Sequence, residues 1–419
     1  MFKIFRLPDL RKRILFTLLM IVVYRFLAHV PVPGVDISAI KAYISSNALL
    51  GLFDYFSGGG FQNFSIVTLG LSPYINASII IQLMTVMIPS LEELSKEGET
   101  GREKINQYTK YLTVPLAFFQ GYSVYFLLSR QGVIGHLEGL NLLVLIATLL
   151  GGAMLAVWIG DLLTEHGIGN GISFLIFIGI ISRVPTSALQ FILNFNSSML
   201  PQALAFLVIA LIVIVGVVLV NEGTRNIALE YGRRGFSGQK ASNYLPIKVN
   251  QAGVMPIIFA ISVVSLPLMV SPVMQASGVP VIQNLGIWLA KNLTDTSLAR
   301  NLIYFTLVFA FTYFYTMVQF DPNKISEDIK KRGGFIPGVR PGSATTGYLK
   351  KVINRITLAG GLFLGLVAIM PFLVSLAIGG GGLYSIGGTG LLIAVSVVLD
   401  SLRQIESMLV MRNYDSFLS

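Results

Sequence analysis

Ten stretches of this 419-residue chain are long and apolar enough to cross a bilayer, for which a helix needs roughly 20 mostly apolar residues. They run approximately over 14–33, 66–89, 111–129, 141–163, 171–189, 203–221, 253–273, 301–320, 356–378 and 386–406. The purest, from Ala203 to Val220, holds no charged or strongly polar side chain. Little is left to face water. Hydrophobic residues make up 54% of the chain and charged ones 12%, against about 25% charged in an ordinary soluble domain. A soluble globular fold, a disordered chain and a small disulfide-stapled fold are excluded together. With 0 Cys, thiolate metal sites and cysteine nucleophiles are excluded too. The expected fold class is an all-α integral membrane protein with ten transmembrane helices.

The scarce charges are sorted along the chain. Of 30 Lys and Arg, 24 fall in the two termini and in the connections after the second, sixth and eighth runs, while the connection after the fourth has none. Lys and Arg accumulate on the cytoplasmic side of membrane proteins, so both termini are expected there. The basic N-terminus leads into the first run and on to the His29–Gly34 segment rather than to a small-residue cleavage site, so that run should stay as a span. Ten spans divide into an N-terminal half over 1–189 and a C-terminal half over 203–419. Five spans per half give the halves opposite orientations, hence an expected inverted repeat.

The second run is irregular. Ser57 to Ser65 is Gly-rich, and Gly70 and Pro73 interrupt the apolar stretch that follows. Glycine removes side-chain packing and proline a backbone donor, so an unbroken helix over 61–89 is not expected. Two alternatives are open: a half-helix folded back into a cavity, or a loop on the outer surface. The basic connections 222–250 and 321–355 are far longer than a turn requires. They suit either docking of an acidic or nucleic-acid partner or solvation beside anionic headgroups.

Chemistry is mostly missing from the sequence. There is no Gly-Lys dipeptide, so no phosphate-cradling loop of an ATP-driven pump. The run Gly167 to Gly171 joins two spans and is expected to be a tight interhelical turn. His29, His136 and His166 are scattered, so no metal site is expected. Among intramembrane charges, Arg25, Asp161 and Asp400 stand out, with Arg25 expected to hold helix ends. What remains is a passive conduit driven by a cytoplasmic partner, with a secondary transporter of inverted repeats as the alternative.

Four segments carry a resemblance: Leu69 to Gln82, Trp158 to Ser173, Val249 to Phe259 and Phe335 to Gly342. They resemble, in order, signature segments of the SecY family, the central channel subunit of the Sec translocon, in its bacterial form. The resemblance implies two five-helix halves forming a clamshell around an hourglass pore in the bacterial plasma membrane, with no catalytic activity and no cofactor. It implies a waist sealed by Leu71, Ile75, Ile172, Ile176, Ile258 and Ile393, a dry aliphatic ring that excludes water and ions. It places a plug, a short helix, over 58–69 with Gly60, Phe61, Phe64 and Ile66, and polar lateral-gate positions at Gln82 and Asn250. Arg233, Arg234, Lys330, Lys331, Arg332 and Arg340 would face a SecA-type motor or the ribosome. SecE and SecG subunits, secretory preproteins with their signal sequences, and membrane lipid are the other implied partners.

Overall fold

The computed structural model describes residues 8–33, 35, 37–40, 60–193, 200–231, 243–294, 297–378 and 388–418. Apolar sequence with few breakers folds here almost entirely as helix. The first helices are α1 (Pro8–Leu27), α2 (Ser72–Met87), α3 (Pro89–Lys96), α4 (Glu99–Arg130), α5 (Leu140–His166), α6 (Gly171–Ile181) and α7 (Val184–Leu193). After α8 (Leu200–Glu222) come strands β1 (Thr224–Tyr231) and β2 (Asn243–Lys248), then α9 (Met255–Gln275), α10 (Pro280–Asn292) and α11 (Leu298–Gln319). The chain ends with α12 (Pro322–Lys331), β3 (Gly334–Phe335), α13 (Ser343–Ala368), α14 (Met370–Ile378) and α15 (Gly388–Leu418).

Local chemistry sets the ends. Ile88 is extended because Pro89 follows it, and α2 and α3 meet there at a bend of 101°. The Asn170 side chain accepts from Ser173 N at 3.1 Å and caps α6; Asp321 accepts from Asn323 N at 2.9 Å and caps α12. Among the described residues, six helices are long and apolar enough to cross a membrane, and seven if α2 and α3 count as one broken span. The other apolar runs are helical but interrupted. α1 carries Arg11, Lys12, Arg13 and Arg25; the fifth run breaks at Ser182–Arg183 into α6 and α7; α15 carries Asp400, Arg403 and Glu406. Several helices also overrun their apolar stretches, α1 starting at Pro8, α4 at Glu99 and α13 at Ser343, and α15 ending at Leu418, because helical hydrogen bonding does not depend on apolar side chains.

The chain divides into two compact units. The first holds Met1–Met199, Ile261–Asn301 and Val397–Ser419, the second Leu200–Ala260 and Leu302–Ser396. The core of the first joins Phe61, Phe64 and Leu69 to Val124 and Leu128 of α4 and Leu145, Leu149 and Ala153 of α5.

In the second unit the two basic connections are not separate loops. They form one antiparallel sheet in the order β2-β1-β3, with Ile227 opposite Leu245, Thr224 opposite Lys248 and Glu230 opposite Phe335. Alternate residues Ile227 and Leu229 point inward and meet Ile247, Ile329 of α12, Ile336, and Leu349 and Val352 of α13. The basic surface therefore rests on its own apolar core.

Candidate pore, plug and lateral gate

Residues 60–71 form a chain of turns rather than the expected short helix. Backbone bonds close over three residues from Phe64 N to Phe61 O, Thr68 N to Ser65 O, Gly70 N to Val67 O and Ser72 N to Leu69 O. Helical propagation is broken because the segment exchanges bonds with the chain after α1: Val32 N donates to Phe64 O at 2.9 Å and Ile66 N to Val30 O at 3.0 Å. Phe64 takes the left-handed conformation, φ 42°, costly for a bulky side chain and sustained by its complete burial. The segment is seated tightly on α5. A Cβ on Gly152 would stand 1.9 Å from the Ile66 carbonyl oxygen, so only glycine fits there. Gly60, Phe61 and Phe64 are buried and Ile66 is half-buried; Gly58 and Gly59 lie outside the described residues.

The segment ends at Leu71, which caps α2, and Ile75 follows one turn later; both are buried in the first unit. Ile172 and Ile176 share one face of α6. The start of α6 is pressed against α5, where a Cβ on Gly171 would lie 2.0 Å from Gly160 O, and Gly171 N donates to Thr164 Oγ1 at 2.9 Å. Ile176 is buried, whereas Ile172 is half-buried and lies against Gly160. Ile258 of α9 and Ile393 of α15 belong to the second unit, and both are buried. Phe259, next to Ile258, meets the rings of Phe311 and Tyr315 edge-on, each at 6.0 Å.

The two expected gate residues lie in different units, each with partners of its own. Half-buried Gln82 donates to Ser78 Oγ at 3.1 Å, one turn back on α2. Asn250 is buried and donates to Asn221 Oδ1 of α8 at 2.7 Å and to Gly253 O at 3.1 Å. Asn221 in turn donates to Ser396 Oγ of α15 at 2.7 Å. This buried trio ties α8, the residue chain before α9, and α15. Sequence reasoning missed Asn221 and Ser396. Their signal was available as polar residues isolated in apolar runs, Asn221 at the end of one and Ser396 in the middle of another, where an unsatisfied polar group costs several kcal/mol in lipid.

Other polar contacts hold the first unit. Arg25 donates to Ser182 Oγ at 3.0 Å, at the residue ending α6. Asp161 pairs with Lys110 at 2.7 Å, and Tyr74 donates to Asn106 Oδ1 at 3.0 Å. The Gly167–Gly171 turn is held by Arg13, which donates to Gly167 O at 3.2 Å, and by Gln404, whose side chain accepts from Gly169 N.

Beside the second unit's sheet, Lys330 and Lys331 at the end of α12, Arg332 after it and Arg340 in the turn following β3 are exposed. Lys331 pairs with Glu327 at 3.6 Å. The Arg340 turn is fixed from both sides: Thr345 Oγ1 donates to Arg340 O at 2.9 Å and Ser326 Oγ to Gly342 O at 3.0 Å. Arg233 and Arg234 lie outside the described residues. Among the described residues no group of three or more metal-ligating side chains assembles.

Comparison with known proteins identifies the family and the fold. Residues 65–402 match the SecY family. Protein translocase subunit SecY of Corynebacterium glutamicum is 41% identical over 440 residues, covering 99% of this chain and 98% of the relative. The Thermotoga maritima subunit of the same name is 42% identical over 430 residues, covering 99% and 96%. Among solved structures, one described as the structure of a protein conducting channel superposes with a TM-score of 0.66 at 20% identity, covering 95% of this chain and 92% of that one. Sec61 from a canine ribosome-channel complex of the endoplasmic reticulum gives 0.62 at 20% identity with the same coverage. A full-length match at this identity, on the fold of a membrane channel, settles the family: this chain is a multi-pass membrane protein of the SecY family.

Proposed function

We propose that this chain is the protein-conducting channel of a bacterial plasma-membrane translocase, passing unfolded secretory polypeptides and releasing hydrophobic segments sideways into lipid. It is a channel subunit, not an enzyme. In this reading ten helices form two inverted five-helix halves, 1–189 and 203–419, closing as a clamshell around a pore, with both termini cytoplasmic. Leu71, Ile75, Ile172, Ile176, Ile258 and Ile393 seal the waist by dewetting. Residues 58–69 are the plug, and Gln82 and Asn250 flank the lateral gate.

The observation that carries the reading is the seat of residues 60–71. A turn-built segment, largely apolar, is buried among helices of the first unit and runs directly into Leu71 and Ile75, which in a channel would lie at membrane depth. Irregular backbone survives at that depth only inside protein or beside a water-filled cavity, which is the setting of a stopper. Hydrogen bonds from Val32 N, Asn63 Nδ2 and Ile66 N join it to the chain after α1, non-covalent ties that a displaceable element can break. The exposed cations around Arg340, together with Arg233 and Arg234, suit a SecA-type motor or ribosomal RNA phosphate. SecE and SecG are the membrane subunits that complete the assembly.

The test is reconstitution of the chain with SecE, SecG, SecA and ATP. A preprotein added outside the vesicles should become protease-protected, and deleting 60–69 should raise resting ion leak. Saturable uptake of a small solute without polypeptide protection would favour a transporter instead.

A further inference from the structure

One element is used by none of these roles. α10 is a 13-residue helix joined to the end of α9 and the start of α11 by connections of four and five residues. Four residues reach at most about 14 Å, so α10 cannot leave the membrane boundary at which those spans end. It is also docked there. A Cβ on Gly286 would stand 2.9 Å from Gln275 N, Met274 Cβ and Ser271 O, so the helix lies flush on the last turn of α9. Gln275 Nε2 adds a hydrogen bond to Gly286 O at 3.3 Å.

The docked face is narrow, and an apolar stripe stands beside it. Val281, Leu285 and Trp288 follow one another at helical spacing and are 68%, 49% and 56% exposed. Gln283 and Lys291 come up on another side, and Lys291 is the single charged residue between Pro280 and Asn292. An exposed apolar stripe rich in bulk, a tryptophan and one cation without an acid is the pattern of a helix lying in a lipid interface. Its indole settles at headgroup level and its cation faces anionic phosphate.

We propose that α10 is an interfacial helix: it lies in the headgroup layer of the bilayer and, through Gly286, fixes the end of α9 to the membrane surface. The occupant of the stripe is phospholipid. The inference goes beyond the proposed channel function and does not depend on it, since any multi-pass protein with this α9–α10 corner would behave alike.

The sequence contains 2 Trp, Trp158 and Trp288, so Trp158→Phe leaves one fluorophore on the stripe. The full chain carrying that substitution is reconstituted into phosphatidylethanolamine–phosphatidylglycerol vesicles with acyl chains brominated either near the headgroup or near the methyl end. Emission from Trp288 should be quenched more by the shallow bromines, at least about twofold, as for an indole at the interface. Val281→Asn combined with Leu285→Asn should abolish that preference. Quenching by aqueous acrylamide without bromolipid quenching would overturn the proposal. So would stronger quenching by deep bromines, or shielding from both quenchers, which would mean that protein covers the stripe. If Trp158→Phe is unstable, subtracting the quenching of the Trp288→Phe protein from that of the parent chain gives the same quantity.

Discussion

Residues 60–71 and the β1-β2-β3 sheet are both departures from the helical rule of this chain, and they solve opposite problems. The first is largely apolar sequence without regular structure, buried among the helices of the first unit. The second is basic sequence with regular structure, exposed on one face and resting on Ile227, Ile247, Ile329 and Leu349 on the other. Away from water every backbone group must find a protein partner, and 60–71 finds them in tight turns and in Val30 and Val32. In water the loops have no such obligation, yet a cationic surface has to be held in shape to recognise anything. The partners available to the backbone and side chains, not hydrophobicity alone, decide which segments stay irregular.

That contrast can be broken or sharpened by substitution. The largest effect is expected from Leu349→Ala, which opens a cavity beneath the sheet at a cost of about 2–5 kcal/mol. Hydrogen exchange at Ile227 and Ile247 should accelerate sharply while α4 and α5 stay protected; uniform acceleration would deny the sheet a core of its own. Gly152→Ala comes next, because its methyl must displace the Ile66 carbonyl. Overpacking of this kind costs about 1–3 kcal/mol, read as a lower Tm in detergent, and resting ion leak should rise as the 60–71 segment lifts. An unchanged Tm and leak would mean that the segment is not seated on α5.

Asn221→Ala should cost less, about 0.6–2 kcal/mol for interhelical hydrogen bonds inside a membrane protein. Because it loosens Asn250, it should also lower the hydrophobicity that a signal sequence needs for release into lipid, measured with a graded series of signal segments. Arg340→Glu is the smallest structural change, within about 0.5 kcal/mol for an exposed side chain. SecA-driven transport should nevertheless fall while membrane insertion of the chain is unchanged. A folding defect in that variant would show that the turn, not the charge, is what matters.

The apolar runs were legible as helix because burial in lipid demands apolar length, though among the described residues six helices, or seven with the bent α2–α3 pair, are long and apolar enough to span. Their true ends were not. Hydropathy reports apolar length, so it stops where polar residues begin, while α4 and α13 continue as helix on residues such as Arg102 and Lys350. The sheet was hidden by charge: the alternation of Ile227 and Leu229 with exposed neighbours, and of Leu245 and Ile247 with theirs, is present in the sequence, but Arg225, Lys248 and the Gly-rich tips draw the eye to a loop. β3 could not be read at all, since two residues carry no period and its partner β1 is about a hundred positions away. At the candidate site, the break ahead of α2 was legible from Gly70 and Pro73, but the turns of 60–71 rest on bonds to Val30 and Val32 that no local pattern announces, and the six waist residues came only from family resemblance. Asn250 was singled out, but its pairing with Asn221, and through it with Ser396, was not legible, because hydrogen bonds between distant helices leave no local pattern.

The sheet also has a mechanical meaning. α8 runs into β1, β2 runs toward α9, α11 runs into α12, and β3 leads through the Arg340 turn into α13. Hydrogen bonds between β1 and both neighbours bolt these four roots into one plate. A load applied at Arg340 is therefore not borne by a single helix: it is shared, as a yoke shares a pull among several traces. A motor pressing on this plate would displace the helix bases together, and a blow that would bend one strut becomes a tilt of the frame.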